Sequence, residues 1–131
     1  MAPIRVVVNG ATGKMGMETI SAIVQVDDLS LVGATCGRER TSTLRLPDGG
    51  EVPLSTNLED ILVQTHPEVL VDFTNASACM NAVAVAGAHN TNLVLGASGL
   101  TEDHLKQLDA LSHDKSIGII VAPNFALGAV I

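Results

Sequence analysis

A glycine-rich turn near the amino terminus constrains the fold of this chain more than any other segment. Residues 4–8 read Ile-Arg-Val-Val-Val, and they lead into Gly10, Gly13 and Gly16, which are spaced every third residue before a helix-compatible stretch. A strand that breaks into glycines and then into a helix is typical of a dinucleotide phosphate-binding turn. Gly10 is expected to permit the tight turn, Gly13 to let the backbone approach a pyrophosphate, and Gly16 to let the helix pack on the sheet. The alternative interpretation is a glycine-rich connection without a ligand.

The composition favours one α/β domain in a reducing compartment. The chain has 131 residues, of which 47% are hydrophobic and only two are aromatic, so aliphatic side chains must fill the core, as in a parallel sheet covered on both faces. The net charge of −7 argues against nucleic acid and anionic membranes as partners. Cys36 and Cys79 lack metal-ligand spacing and indicate inert, buried thiols in a cytoplasmic setting. The sequence shows neither a signal peptide nor an apolar run of membrane-spanning length.

Strand-like and helix-like segments alternate at least four times. Strands are predicted at residues 4–8, 29–35, 69–73, 92–95 and 117–121. A small hairpin is predicted where residues 44–46 and 51–54 flank Pro47-Asp48-Gly49-Gly50. Because such alternation implies right-handed crossovers, the predicted fold is a doubly wound, mainly parallel, Rossmann-like α/β sheet in a single domain over residues 1–131.

The helix boundaries are predicted from capping residues. A first helix is expected from Gly13 to about residue 25, and a second over residues 58–64 after an Asn57 cap. Asn75 or Ser77 is expected to cap a third helix that runs to about residue 86 and stops at Gly87. A fourth helix is expected from a Thr101 cap to about residue 112.

The carboxyl ends of the strands carry the small, glycine-rich or polar residues, and ligands of such sheets bind beyond these ends. Phe73 can pack along a ribose or nicotinamide, although core filling explains it as well, and the hydroxyl of Thr74 can bond a phosphate. Asp72 is interpreted as ordering its turn rather than as catalytic. Residues 96–99, Gly-Ala-Ser-Gly, can contact a nicotinamide amide through backbone carbonyls and Ser98, and a plain turn is the alternative.

The end of the second strand bears on the choice between the two nicotinamide cofactors. An acidic residue there suits the ribose of NAD, and a basic one suits the 2′-phosphate of NADP. Here Arg38 and Arg40 follow Gly37, and Lys14 in the glycine turn adds a third cation. These residues predict that NADP is tolerated, while Glu39 keeps NAD possible. A solvated surface charge cluster is the alternative interpretation.

No convincing acid–base or nucleophilic residue was found in the sequence. Ser98 lacks a G-x-S-x-G elbow, and the chain has no tyrosine. The four histidines are interpreted as surface residues without metal-ligand spacing. The chain is therefore expected to carry no catalytic residue and no metal, and to need a second domain for its substrate contacts.

The order of these segments resembles the 4-hydroxy-tetrahydrodipicolinate reductase (dihydrodipicolinate reductase) family of lysine and diaminopimelate biosynthesis. The matching segments are Val-Asn-Gly-Ala-Thr-Gly-Lys-Met-Gly at 8–16, Val-Asp-Phe-Thr at 71–74, Gly-Ala-Ser-Gly at 96–99 and Ala-Pro-Asn-Phe-Ala-Leu-Gly at 122–128. The resemblance spans this chain but only the amino-terminal half of the family's proteins.

The resemblance implies an oxidoreductase that transfers hydride from NADPH or NADH to a cyclic dicarboxylate. It places Ser98 near the substrate and implies that a carboxyl-terminal substrate and tetramerisation domain is absent here. The implied cofactor-site residues are Gly10, Thr12, Gly13, Lys14 and Met15 beside the pyrophosphate and adenosine, Arg38 at the discriminating position, and Phe73, Thr74, Gly96, Ser98, Ala122, Asn124 and Phe125 beside the ribose and nicotinamide.

Three departures from the family pattern affect these expectations. Ala97 replaces a common threonine, Asn75 stands where some members have a basic residue, and Gly37 stands where an acid often favours NADH. The last two leave the cofactor preference open. The resemblance implies a homotetrameric parent, and the chain alone is expected to be a monomer or weak dimer that binds dinucleotide weakly and turns over nothing.

Two other functions fit the glycine turn. One is the cofactor domain of another dehydrogenase of amino-acid metabolism, such as aspartate-semialdehyde or homoserine dehydrogenase, although the Ala-Pro-Asn-Phe segment is not expected there. The other is an NAD(P)-binding regulatory or redox-sensing domain without catalysis.

Overall fold

The computed structural model describes residues 2–38 and 41–122 of the chain. Within them, strands and helices alternate as the sequence predicts. In chain order they are β1 (Ile4–Asn9), α1 (Lys14–Val24), β2 (Leu29–Thr35), β3 (Thr43–Arg45), β4 (Glu51–Ser55), α2 (Leu58–Thr65), β5 (Val69–Asp72), α3 (Ala76–Ala88), β6 (Asn92–Leu95), α4 (Glu102–Lys115) and β7 (Ile119–Val121).

The seven strands of the described residues form one sheet in the order β3-β4-β2-β1-β5-β6-β7. All neighbouring pairs from β4 to β7 are parallel, and β3 alone pairs antiparallel, with β4. The predicted doubly wound, mainly parallel fold and its small hairpin are therefore confirmed. The parallel pairing of β4 with β2 was not predicted, because no local pattern indicates which distant strands pair.

The sheet has two differently covered faces. Val7 of β1 packs in a cluster with buried residues of α2, α3 and α4, whereas Val6 and Val8 pack in a second cluster with Ile20 and Ile23 of α1. Successive residues of a strand point to opposite faces. Three helices thus cover one face, and α1 covers the other.

Most predicted helix starts are confirmed by their caps. The side chains of Asn57, Asn75 and Thr101 each accept a hydrogen bond from a backbone N–H in the first turn of α2, α3 and α4. Asn75, rather than Ser77, is therefore the cap of α3. Each cap satisfies one N–H that the helix cannot pair internally.

The predicted stop of α3 at Gly87 is wrong. Gly87 is buried inside α3, where an added Cβ would lie 3.1 Å from Cδ1 of Leu111 in α4. This glycine therefore allows close packing between two helices, and α3 continues to Ala88.

Two further boundaries differ from the prediction. Helix α4 runs to Lys115, three residues beyond the predicted end, and β7 begins at Ile119 rather than at residue 117. Among the described residues, no helix is both long and apolar enough to cross a membrane.

Candidate functional site

The three glycines between β1 and α1 differ in how much room the surrounding residues leave for a side chain. Gly10 has a φ of +80°, which favours glycine, and an added Cβ would lie 2.9 Å from Cγ2 of Thr74. At Gly16, an added Cβ would overlap the carbonyl oxygen of Gly10 and lie 2.9 Å from Cα of Ala11. At Gly13, the only neighbour within 4 Å is the Gly10 carbonyl oxygen, at 3.6 Å. Packing inside the protein thus requires glycine at positions 10 and 16 but leaves position 13 open.

At the amino terminus of α1, the backbone N–H groups of the first turn have no acceptor among the described residues. Gly13 is the N-cap, so no side chain caps the helix, and its first turn holds no acidic residue. The N–H groups of the first three helical residues, Lys14, Met15 and Gly16, have no acceptor within an α-helix. These donors and the helix dipole favour an anion at this point.

Three of the four backbone N–H groups from Gly10 to Gly13 are already paired, and Thr12 is the one with no bond among the described residues. The N–H of Gly10 donates to Oγ1 of Thr35 at 3.3 Å, and that of Ala11 donates to the Thr35 carbonyl at 2.8 Å. The N–H of Gly13 donates to the Gly10 carbonyl at 3.3 Å. An anion at this turn would therefore be held by the start of α1 and by the N–H of Thr12, the remaining donor of the preceding loop.

A partly buried polar network links the ends of β1, β2 and β5. The Asn9 amide donates to Oδ1 of Asp72 at 2.8 Å, and the Asn9 side-chain oxygen accepts a hydrogen bond from the Thr35 hydroxyl. The Thr74 hydroxyl donates to the Asp72 carboxylate, 2.8 Å from Oδ1. The expectation that Asp72 orders its turn is confirmed, and its reach across strands was not predicted.

The Cys79 thiol in α3 also meets this carboxylate. Burial, then a hydrogen bond to Asp72, then the charge of Asp72 raise the pKa of Cys79 from 9.0 to about 12. A thiol with so high a pKa forms little of the nucleophilic thiolate near neutral pH. Cys36 and Cys79 are both free and buried, which confirms that part of their sequence interpretation.

A cavity of about 290 Å³ opens beside the glycine turn at the carboxyl edge of the sheet. Gly10 and Thr74, both predicted site residues, line it together with residues that sequence reasoning missed, including Asn9, Thr35 and Asn81. The signal for Asn9 and Thr35 was present, since each is the polar last residue of a strand and follows apolar or small residues.

The segment after β2 forms one end of this cavity. Cys36 and Gly37 line it, and nothing lies within 4 Å of a Cβ added at Gly37. The Cys36 thiol donates to the carbonyl of Arg38 at 3.3 Å, and Arg38 is exposed. Lys14 and Thr12 are exposed at the glycine turn. Glu39 and Arg40 lie outside the described residues.

The second predicted contact segment lies at the end of β6. Gly96 donates its N–H to the carbonyl of Asp72 at 2.8 Å, and Ser98 forms a parallel bridge with Asn75. Ser98 is exposed and Ala97 is buried. Gly96 and Ser98 are thereby held next to the Asp72–Thr74 turn, as the motif order predicts.

The remaining predicted residues fall in two other places. Phe73 and Met15 line a separate apolar cavity of about 400 Å³ on the α1 face of the sheet, together with Val71 and Val94. The Ala122 N–H donates to the Leu95 carbonyl at 2.8 Å, so the end of β7 lies beside β6. Asn124 and Phe125 lie outside the described residues.

Comparison with known proteins identifies the family. A model described as "Dihydrodipicolinate reductase, N-terminus" matches residues 4–125. The chain belongs to the dihydrodipicolinate reductase family. It is 48% identical over 132 residues to a 4-hydroxy-tetrahydrodipicolinate reductase of Dehalococcoides mccartyi (strain ATCC BAA-2266 / KCTC 15142 / 195), covering 100% of this chain and 50% of the relative. The resemblance stated from the sequence motifs is thus confirmed.

Solved structures agree with this assignment. The dipicolinate-bound dihydrodipicolinate reductase from Paenisporosarcina sp. TG-14 is 32% identical, with a TM-score of 0.82 over 97% of this chain and 49% of that one. GenD2 from gentamicin A biosynthesis, solved in complex with NAD, is 20% identical, with a TM-score of 0.78 over 95% of this chain and 36% of that one, and shows a shared fold. The chain spans about half the length of the curated relatives it matches.

Proposed function

We propose that this chain binds NADPH or NADH as the cofactor half of a 4-hydroxy-tetrahydrodipicolinate reductase. The observation that carries the proposal is the amino terminus of α1, which has a glycine cap, no acidic first turn and no side-chain capping bond. Gly10, in the turn that leads into this helix, lines a cavity together with the ends of β1 and β2. Family membership favours the reductase over the dehydrogenases of related metabolism.

The proposed placement of the dinucleotide follows from this geometry. The pyrophosphate lies at the N–H groups of Lys14, Met15 and Gly16, above the open position at Gly13. The adenosine ribose lies in the cavity beside Gly37, where Arg38 follows. Exposed Arg38 and Lys14 then supply positive charge to a 2′-phosphate, so NADPH is accepted and NADH is not excluded.

The nicotinamide is proposed to lie toward the β6 end of the same edge. Gly96 and Ser98 stand beside the Asp72–Thr74 turn, and Ala122 follows β7 next to them. When bound, the reduced nicotinamide supplies hydride to an electrophilic carbon of the substrate. Ser98 offers an exposed hydroxyl to that substrate, a cyclic dicarboxylate in lysine and diaminopimelate biosynthesis.

This chain is proposed to bind the cofactor without turning over substrate. Its predicted site residues supply backbone donors, hydroxyls and cations, but the sequence offers no convincing general acid there. The parent's remaining half is proposed to bind and protonate the substrate and to form the tetramer. Cytoplasmic location and the state of the chain alone as a monomer or weak dimer stay predictions.

The binding proposal is tested by calorimetry with NADPH and NADH on the purified chain. Arg38→Ala is expected to weaken NADPH binding about tenfold, the effect of one lost charge-assisted hydrogen bond, and NADH binding by less than about threefold. Arg45→Ala is the matched control, since it removes an exposed cation of β3 and is expected to change neither affinity. Absence of binding of both dinucleotides by the unaltered chain at millimolar concentration would refute the cofactor proposal.

A further inference from the structure

We propose that Asn9, Thr35 and Asp72 are positioning residues that hold the glycine turn and the Thr74 turn in one fixed arrangement for the dinucleotide. The inference rests on the proposed function and concerns the role of these residues in holding the two turns, not in binding the cofactor directly. The network spans three neighbouring strands, since Asn9 and Asp72 are register partners of β1 and β5 and Thr35 ends β2.

The direction of each hydrogen bond in this network is determined. An ionised carboxylate only accepts, so the groups of Asn9 and Thr74 that face Asp72 must donate. With its amide group turned to Asp72, Asn9 presents its oxygen to Thr35, whose hydroxyl must then donate. The Thr35 oxygen remains free to accept from the N–H of Gly10 at 3.3 Å. A single acceptor thus orients every polar group up to the glycine turn.

The burial of two members of the network restricts how their polar groups can be paired. The exposed fraction is 0% for Asp72 and 3% for Thr35. Among the ion pairs of the described residues, none includes Asp72, so its charge is balanced by hydrogen bonds alone. Breaking one bond would leave a buried group with fewer hydrogen bonds than it can form, which is unfavourable, so the network resists rearrangement.

The network acts on the two sides of the candidate cofactor site. Thr35 holds Gly10, whose positive φ starts the turn into α1, and the Asp72 bond holds Thr74, whose methyl lies against Gly10. Asn9, Thr35 and Thr74 all line the cavity beside the turn. A shift in the network would therefore move the donors of α1 relative to the cavity wall, which lowers affinity because the site is no longer preorganised.

The first test exchanges the donor and acceptor groups of Asn9 and Asp72. Asn9→Asp places two carboxylates face to face, and NADPH affinity is expected to fall at least about tenfold. Adding Asp72→Asn restores a donor opposite an acceptor, so the double variant is expected to bind within about threefold of the unaltered chain. Asp72→Asn alone retains an acceptor oxygen and is expected to have the smaller single effect. Rescue of this kind is not expected if the two residues act independently.

The second test removes one hydroxyl without changing the side-chain shape. Thr35→Val is expected to reduce NADPH affinity about tenfold at a temperature where the variant is fully folded, whereas Thr35→Ser keeps the hydroxyl and stays within about threefold. Thr65→Val is the control, because the Thr65 hydroxyl bonds only the Ile61 carbonyl within α2. Amide exchange at Gly10 is expected to accelerate in Thr35→Val and not in Thr65→Val.

The outcomes separate this inference from the function on which it rests. Failure of the unaltered chain to bind NADPH or NADH overturns the proposed function, and Gly10 exchange then decides whether the network holds the turn. Binding by Thr35→Val equal to that of the unaltered chain overturns the positioning role. An equal loss in Thr65→Val, or no rescue by the double variant, assigns the effect to general stability and overturns it as well.

Discussion

The amino termini of α1 and α4 follow glycine-containing turns at the same edge of the sheet, yet only one is available to an anion. At α1 the cap is Gly13, which offers no side chain, and the first turn holds no acid. At α4 the Thr101 hydroxyl accepts the N–H of His104, and the His104 ring accepts the N–H of Thr101. Glu102 and Asp103 add negative charge to that first turn.

The difference shows that a helix start can accept a phosphate when it has neither a capping side chain nor acidic residues in its first turn. Every helix carries unpaired N–H groups and a positive dipole end. At α4 the protein uses these features internally, with a reciprocal cap that stabilises the helix. At α1 it leaves them unused, which sacrifices some helix stability for ligand binding.

The largest expected effect concerns the glycine that builds the α1 turn. Gly16→Ala is expected to destabilise the fold by about 3 kcal/mol, because the new methyl overlaps backbone atoms of Gly10 and Ala11. Helix propensity alone predicts the opposite sign, a gain of about 1 kcal/mol. Denaturant unfolding distinguishes the two, with Gly13→Ala as the control, which is expected to lose no more than about 1 kcal/mol as an N-cap substitution. A Gly16→Ala variant as stable as that control would contradict the described packing.

The next largest effect is expected from a substitution that makes the start of α1 resemble that of α4. Gly13→Asp supplies a capping carboxylate that takes the free N–H groups and repels phosphate, so NADPH affinity is expected to fall at least about tenfold. Stability is expected to change by only a few tenths of a kcal/mol, since glycine and aspartate are both acceptable N-caps. Calorimetry and thermal unfolding measure the two quantities on one sample.

Gly13→Ala is the matched control for this charge effect. Its methyl has room within the protein, with the nearest atom at 3.6 Å, but it points at the proposed pyrophosphate position. Affinity between that of the unaltered chain and that of Gly13→Asp is expected. Full affinity in Gly13→Asp would remove the helix start from the proposed site.

A third change tests α4 in the opposite sense. Thr101→Ala removes the capping bond to His104 and is expected to lower the free energy of unfolding by about 1 kcal/mol. NADPH affinity is expected to stay unchanged, because this helix start is acid-flanked and does not serve the phosphate. Thr101→Ser, which keeps the hydroxyl, should retain the stability. A loss of affinity in Thr101→Ala at full folding would show that the two helix starts are not functionally distinct.

The smallest effect concerns the first turn of α3, where the Cys79 thiol lies against Asp72. Because folding raises the pKa of this thiol from 9.0 to about 12, its contribution to stability is present below pH 9 and is lost as the pH rises toward 12. The free energy of unfolding should therefore fall more steeply above pH 9 in the unaltered chain than in Cys79→Ala. Parallel slopes for the two proteins would contradict the raised pKa.

Features set by neighbouring residues were predictable from the sequence. The turn at Gly10 and the caps at Asn57 and Thr101 depend on groups within a few positions along the chain. Gly87 was misassigned as a helix stop because its role depends on Leu111, which approaches from another helix. The sequence reveals that a glycine is present, but not which distant side chain needs its space.

The candidate site shows the same division. Gly10, Thr74 and the Gly37–Arg38 segment were predicted from motif positions, and the first three of these residues line one cavity. Phe73 and Met15, predicted for the same cofactor, line the apolar cavity on the α1 face instead. Phe73 and Thr74 are adjacent in the motif and directly follow β5, yet they line different cavities, which a motif position does not reveal.

The sequence by itself determined the alternation of strands and helices, the glycine turn and the family, because apolar periodicity and turn chemistry act over short stretches of chain. Only the tertiary structure decided that Asn9, Thr35 and Asp72 form one partly buried network. Thr35 lies 26 positions from Asn9 along the chain, and Asp72 lies 63 positions from it. Their meeting depends on which strands pair and in what register, and these are properties of the whole sheet rather than of any segment.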